Sequence, residues 1–296
     1  MNLDYVPLLR VMRDIQSIPR GQPPGFNGMK RFKAYLRAIF EYDRNGQAKV
    51  CKLPTLLAMN PMGKDHVTAL LNGYLAIDGD SVGAETAREA AAQLADVPGD
   101  FKVGLLLCDD LLGGGTNRYD YEFAFRFGAD VSHAGDGPPP SRWVKDYWLT
   151  GVLWSSEAPS EQAVREAILT AAHRMAYMKR HGYARTLRDR LAQEGQVLAR
   201  SGCSRPTLDA EDIAYTREVL VPYLDADDMR TCIGCLFGDA AAGTLGFTPT
   251  GLSPWAGLAL ALHDARSNEP LEPSGRDTPD ADPIYGRGSQ KDAPRP

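Results

Sequence analysis

The sequence predicts an α+β fold in which a small, mainly antiparallel sheet at about residues 101–155 is flanked by many helices. Three observations lead to this prediction. Residues 101–108 form a largely apolar run, Arg118–Phe127 alternates aromatic with mostly polar residues, and the segments on both sides show helical periodicity. Because the two helical segments each need something to pack on, we expect a single α+β domain at 1–266.

The first hundred residues predict helices. Apolar residues recur at helical spacing in the first of them, at residues 5–18, where the pattern consists of Val6, Leu9, Met12 and Ile15. Further helices are predicted at residues 29–40, 64–77 and 82–95.

Each of the three predicted strands has its own signal. Residues 101–108 fit a strand buried on both faces. In Arg118–Phe127 every second residue is aromatic, and this period of two is typical of a strand with one apolar face. Residues 147–154 are again apolar and rich in strand-forming residues. The connections look too short for crossover helices, so the strands are predicted to run up, down and up.

This strand order would gather polar side chains at one edge of the sheet, because the first strand ends, the second begins and the third ends there. The residues predicted at this edge are Asp109, Asp110, Thr116, Asn117, Arg118, Ser155, Ser156 and Glu157. A helix predicted from residue 159 begins at the same edge, and its positive end would point towards the carboxylates.

After the sheet the chain is predicted to be helical at residues 159–181, 184–200, 210–220, 226–241 and 254–265. Residues 267–296 contain six prolines, many charges and few large apolar side chains. Such a composition cannot bury enough apolar surface to fold, so we predict a disordered tail there.

The composition is that of a globular protein, with 43% hydrophobic and 24% charged residues. The formal net charge is −5 and the basic residues are scattered, so no nucleic-acid partner is expected. No signal peptide and no run of about 20 apolar residues is found, so no membrane association is expected either. Five cysteines without a framework spacing fit reduced thiols, which favours a cytoplasmic protein.

Asp109 and Asp110 directly follow the first predicted strand. Paired carboxylates at a strand end can act as a general base or hold a divalent cation such as Mg²⁺. The alternative is a turn in which both side chains bind the backbone. No phosphate-binding loop of the Gly-x-x-x-x-Gly-Lys-Ser/Thr form accompanies them, so an ATPase is not predicted.

The glycine run that contains Gly114 precedes Asn117 and Arg118. Backbone N–H groups, an amide and a guanidinium in that order can orient an anionic substrate. The alternative is a glycine-rich turn with Arg118 paired to Asp110 or to Glu157. Glu157 itself is either a catalytic acid or part of a cap on the helix that follows.

Lys64 and His66 lie at the start of a predicted helix and can bind an anion there. The alternative is an ordinary capped junction between a loop and a helix. If this segment folds over the polar edge, the site gains a base and a cation.

His173 and Tyr177 are one turn apart on the helix predicted at 159–181. They define either a catalytic face or a solvated helix face.

These observations favour a cytoplasmic hydrolase or group transferase, with or without the assistance of a divalent metal, that acts on a small polar or anionic substrate. Its predicted catalytic residues are Asp109, Asp110 and Glu157, with the two aspartates as metal ligands. Its predicted substrate-binding residues are Asn117, Arg118, Gly114, Lys64 and His66. The alternative is a non-enzymatic interaction or scaffold protein, in which the polar cluster is structural.

Overall fold

The computed structural model describes residues 1–18, 34, 40–42, 48–51, 64, 66–111, 117–127 and 148–267. The strands are β1 (Asn2–Tyr5), β2 (Phe40–Tyr42), β3 (Ala48–Cys51), β4 (Asp100–Cys108) and β5 (Trp148–Trp154). The helices are α1 (Leu8–Ser17), α2 (Val67–Ala76), α3 (Gly79–Gln93), α4 (Arg118–Phe127), α5 (Glu161–His181), α6 (Leu187–Arg200), α7 (Ala210–Leu220), α8 (Met229–Phe237), α9 (Asp239–Thr244) and α10 (Ala256–Arg266). No helix in this part of the chain has the length and hydropathy needed to cross a membrane.

The main sheet has three parallel strands in the order β1-β4-β5. Leu3 pairs with Phe101, and Val103 pairs in turn with Leu149, all in parallel register. The prediction of a mainly antiparallel sheet is therefore wrong, and the fold is a helix-rich α+β fold built on a parallel sheet. Antiparallel pairing occurs in a separate two-stranded sheet of β2 and β3.

The error originates in α4, which the alternation of aromatic residues had predicted to be the second strand along the chain. As a helix, α4 places Tyr119, Phe123 and Phe127 in one apolar cluster and Tyr121 and Phe125 against another. A helix with apolar contacts on two sides has no single apolar stripe, so its pattern resembles that of a strand. Because a helix connects β4 to β5, the two strands can be parallel.

Helices cover both faces of the sheet. A side chain in place of Gly104 of β4 would collide with Leu8 of α1, its Cβ lying 2.5 Å from Leu8 Cδ1. On the other face, a Cβ at Gly151 of β5 would lie 3.2 Å from the Cβ of Ala167 in α5. Glycine at these two positions lets α1 and α5 approach the strands closely. The first apolar cluster is formed by these layers together with α2 and α3.

The helices after α5 build a second apolar cluster. Buried side chains of α6, α8 and α10 form most of it, and Phe123 and Phe127 of α4 join it. Helix α4 therefore lies between the two clusters and contacts both.

Most of the other helix predictions are confirmed, because α2, α3, α5, α6, α7 and α10 lie within about a turn of the predicted segments. The segment 226–241 forms two helices, α8 and α9, which meet at Gly238 with φ +84°. The helix predicted at 5–18 begins later, since the first residues form β1 instead. The predicted helix at 29–40 lies almost wholly outside the described residues, and the predicted tail lies outside them from residue 268.

Candidate functional site

The candidate site lies at the carboxyl edge of the parallel sheet, which we define as the edge where β4 and β5 end. Asp109 follows β4, and Ser155 follows β5. The backbone N–H of Ser155 donates to Cys108 O at 2.9 Å, which continues the pairing of the strands. Thr116 of the predicted polar edge lies outside the described residues. Those that meet here are Asp109, Asp110, Arg118, Ser155, Ser156 and Glu157. The residues after β4 and β5 meet because the carboxyl ends of parallel strands share an edge.

Asp109 is at the centre of this edge and has no exposed surface. Its Oδ1 accepts from Ser155 Oγ at 2.6 Å and from the Leu111 N–H at 3.1 Å. Its Oδ2 accepts from Lys64 Nζ at 2.5 Å. Burial alone would raise the pKa of this carboxyl, but the hydrogen bonds from Lys64 and Ser155, together with the nearby His66, outweigh burial and hold the pKa well below its usual value. Asp109 is therefore a permanent anion at neutral pH.

Lys64 and His66 reach the carboxyl edge from the segment before α2. His66 Nε2 lies 3.1 Å from Asp109 Oδ1, although the two atoms are not aligned for a hydrogen bond. The side chains of His66 and Lys64 are 30% and 18% exposed, whereas Asp109 is fully enclosed. The buried carboxylate thus holds a histidine and a lysine that solvent can reach.

Asp110 is bound by groups from the end of β5 and from α4. Its Oδ1 accepts from the Ser156 N–H at 2.9 Å, and its Oδ2 accepts from Ser156 Oγ at 2.7 Å. Arg118 Nη1 donates to the same Oδ2 at 3.2 Å. With a side chain 6% exposed, Asp110 acts as an internal connector between three segments of the chain.

Arg118 stands at the first residue of α4 and pairs with Asp110, Ser156 and Glu157. Its guanidinium carbon lies 5.1 Å from the ring centres of both Trp154 and Trp255, so it is held between two indoles. Burial lowers the pKa of the guanidinium, but the charges of Glu122, Glu157 and Asp110 outweigh burial and raise the pKa. Arg118 thus makes both pairings named in the alternative, with Asp110 and with Glu157, while the glycine run of that alternative lies outside the described residues.

A row of alternating charges extends from Arg118 into the interior. We call it the charge ladder, and it consists of Arg118, Glu122, Arg126, Glu194 and Arg174. Glu122 and Glu194 are both buried, and Glu122 also accepts from Trp154 Nε1 at 2.8 Å. The ladder was not predicted from the sequence, because Arg118, Glu122 and Arg126 were predicted to lie on a strand. Their spacing of four residues was the signal that favours a helix.

The remaining predicted site residues are Asn117, Glu157 and Gly114. Asn117 Oδ1 accepts from the N–H of Tyr119 at 2.9 Å and so caps α4. Glu157 pairs with Arg118 and is 45% exposed, and it does not cap α5, since that cap is Ser160. Gly114 lies outside the described residues.

The described residues do not fit a divalent cation at the carboxyl edge. Within the described ranges no group of three or more His, Cys, Asp or Glu side chains is placed to hold a metal. The oxygens of Asp109 and Asp110 accept from Lys64, Ser155, Ser156 and Arg118 instead. Two of these partners are cations, which would repel a metal ion.

No protein-family model matches this chain, and no match was found among the curated proteins or the solved structures.

Proposed function

We propose that this chain is a cytoplasmic enzyme, a hydrolase or group transferase, that acts on a small anionic substrate at the carboxyl edge of its parallel sheet. The observation that supports this proposal is the buried, ionised Asp109 held against the partly exposed His66 and Lys64. The three residues come from two separate segments of the chain, and ligands of sheets with parallel strands bind at this edge.

His66 is the acid–base group in this proposal, and Asp109 positions it. A buried carboxylate beside Nε2 orients the imidazole and leaves Nδ1 to exchange a proton with the ligand. In a hydrolysis, His66 takes a proton from the attacking water as the water oxygen bonds to the acyl or phosphoryl centre. The bond to the leaving group then breaks, and the leaving group takes the proton back from His66.

The positive charge of Lys64 attracts the anionic group of the substrate. Arg118 offers a second cation on the same edge, because its partner Glu157 is 45% exposed and can exchange with a ligand carboxylate or phosphate. Asp110 is not assigned a catalytic role, since Ser156 and Arg118 already occupy its oxygens.

A functional role is favoured because burying the ion pair of Asp109 and Lys64 costs free energy. Burying a charged pair costs several kcal/mol for each ion and seldom stabilises a fold more than apolar packing would. A pKa shifted by a specific set of partners at the end of a strand is more typical of a working site.

The second candidate is an interaction protein without an enzymatic activity. It is favoured by the pairing of both aspartates and Arg118 with internal partners, which a structural network would show equally. Leu111, directly after these aspartates, is 58% exposed and would then belong to the binding surface.

The experiment is a rate measurement with p-nitrophenyl phosphate and p-nitrophenyl acetate as probes, on the wild type and on His66→Gln. We expect His66→Gln to lower kcat by about 100-fold or more while the thermal midpoint changes by a few degrees. The control is His263→Gln, because His263 lies 3.2 Å from the buried Asp264 in a similar but separate pair and is 48% exposed. This control variant should keep the wild-type rate.

Turnover of neither probe by the wild type, or equal rates for wild type and His66→Gln, would contradict the enzyme proposal. The interaction protein would then be the better explanation of the carboxyl edge.

A further inference from the structure

A second candidate site lies between α5 and α6, away from the carboxyl edge. It is a shallow surface depression whose polar lining residues are His173, Tyr177, Arg180, His181, Gln196 and Arg200. We call it the α5–α6 depression. Four of these side chains are cationic or can become so, and none is acidic, although the chain as a whole carries a net charge of −5.

His173 is the residue of the α5–α6 depression that has a buried ring nitrogen without a hydrogen-bond partner among the described residues. It lies in the interior of α5, is 7% exposed, and its Nε2 is buried without a hydrogen-bond partner in the described part of the chain. A buried polar atom left without a partner destabilises the folded state, so native structures rarely retain one. A ligand that binds in the depression would supply the missing partner.

Arg200 is the second residue of the depression that a bound anion could contact. It is exposed, and no ion pair with it is found among the residues that the structure describes. Arg180 pairs with Asp96 at 2.7 Å, but the Asp96 side chain is 67% exposed and can be replaced by another anion. Cations are expected near helix ends, so Arg180, His181 and Arg200 each have an ordinary explanation. That explanation does not extend to the buried His173.

The electrostatics of the depression favour an anion. Burial, followed by the charges of Arg200 on α6 and Arg180 on α5, lowers the pKa of His173. Burial and the same two arginines lower the pKa of His181. Asp96 is the acidic group that pairs with this cluster, and it is bound to Arg180. A bound anion would reverse the effect of the two arginines on both histidines.

We propose that the α5–α6 depression binds the phosphate group of a small molecule, with Arg200, Arg180 and His173 as its contacts. Guanidinium groups pair with phosphate oxygens through two parallel hydrogen bonds, and an imidazole N–H adds a third donor. The proposal is independent of the enzyme proposal, because the two sites share no residue.

The test is thermal unfolding of the full chain in sodium phosphate, against sodium chloride at equal ionic strength, followed by calorimetric titration. We expect phosphate to raise the midpoint of the wild type, since a ligand of the folded state stabilises it. Arg200→Gln should weaken phosphate binding by about tenfold or more, from the loss of a charged hydrogen bond. Arg185→Gln, an exposed arginine outside the depression, is the matched control and should bind as the wild type does.

His173→Leu separates this proposal from a merely structural role of His173. We expect the variant to be as stable as the wild type in chloride, or more stable, since the unpartnered atom is gone. It should also lose the rise in midpoint that phosphate causes. In the wild type, titration of the histidine ring protons by NMR should show phosphate raising the pKa of His173.

Three outcomes would overturn the proposal. The first is that phosphate does not raise the thermal midpoint of the wild type. The second is that Arg185→Gln loses as much phosphate affinity as Arg200→Gln, and the third is that phosphate raises the midpoint of His173→Leu as much as that of the wild type. A comparison of inorganic phosphate with glycerol 3-phosphate distinguishes the two sources of the same group. Tighter binding of the ester supports a phosphorylated small molecule, and equal binding supports free phosphate in the depression.

Discussion

Glu194 is a buried carboxylate that binds two arginines from separate helices. Its carboxylate has no exposed surface, and Arg174 donates to it twice, from Nε at 2.7 Å and from Nη2 at 3.0 Å. Arg126 donates to the same carboxylate from α4. Burial would raise the pKa of Glu194, but the two arginines outweigh burial and lower it. The interaction is therefore that of an anion with two buried cations.

Glu194→Gln should lower the free energy of unfolding by about 3–5 kcal/mol. The amide keeps the shape of the side chain but removes the charge, so the buried Arg174 loses its paired carboxylate and Arg126 keeps only its pair with Glu122. Urea unfolding followed by circular dichroism measures the change.

The control for this prediction is Glu89→Gln, which removes one partner of the exposed pair of Arg165 and Glu89. Those side chains are 37% and 42% exposed, so solvent screens the pair and its loss should cost less than about 1 kcal/mol. Equal losses in both variants would mean that burial does not determine the strength of the Glu194 interactions.

At the level of single residues, the sequence identified the polar groups of the carboxyl edge but not their state. Residue types and positions after a strand were enough to select Asp109, Asp110 and Arg118. Only the distances show that Asp110 and Arg118 are bound to each other and that Asp109 is bound to Lys64. The sequence offered the pairing of Arg118 with Asp110 only as one alternative and could not select it, because the partners lie on separate elements.

Among the elements, α4 shows most clearly how a local pattern can mislead. Its aromatic residues alternate as in a strand, but its ion pairs and its aromatic contact between Phe123 and Phe127 have helical spacing. Asn117 followed by Asp120 was a signal for the start of a helix, but Asn117 was predicted to bind substrate instead. The position between two apolar clusters, which explains the alternation, is a tertiary property.

Asn117→Ala should destabilise the protein by about 1 kcal/mol, because the first turn of α4 loses its side-chain cap. Asn117→Asp should keep the stability of the wild type, since aspartate caps a helix as well as asparagine does. Urea unfolding of both variants is the measurement. If both lose stability equally, the side chain of Asn117 acts through another contact than the cap.

Across the whole molecule, the charge ladder joins the sheet with its helices to the second apolar cluster. Arg118 and Glu122 contact Trp154 of the sheet, while Arg126 and Glu194 reach the helices that follow. Carboxylates in this network must stay ionised for the two parts to remain paired. The stability of the fold should therefore depend on pH.

We expect stability to fall in two steps as the solution is acidified. The pKa of His173 is lowered from 6.5, so the unfolded chain takes up this proton first, and stability present above pH 6.5 decreases below it. The pKa values of Glu122 and Glu194 are lowered from 4.5, so their larger contribution is present above pH 4.5 and is lost below it.

The measurement is the urea midpoint from pH 3 to 8, in steps of about half a unit. Glu194→Gln supplies the control, because it should remove part of the steep decline below pH 4.5 and leave the decline near pH 6.5 unchanged. A wild-type midpoint that stays constant down to pH 4 and below would contradict the role given to these carboxylates.

The sequence by itself determined that this chain is a mixture of helices with a small sheet, and it located most helices and the strands β4 and β5. It also selected the polar residues that follow these strands. Such features depend on local periodicity and on caps, which act over a few residues. The tertiary structure decided the rest. It made the sheet parallel by pairing β1 with β4, and it brought Lys64 and His66 to Asp109. It also placed α4 between two apolar clusters. Contacts between residues far apart in the chain depend on how the elements pack, and no short stretch of sequence encodes them.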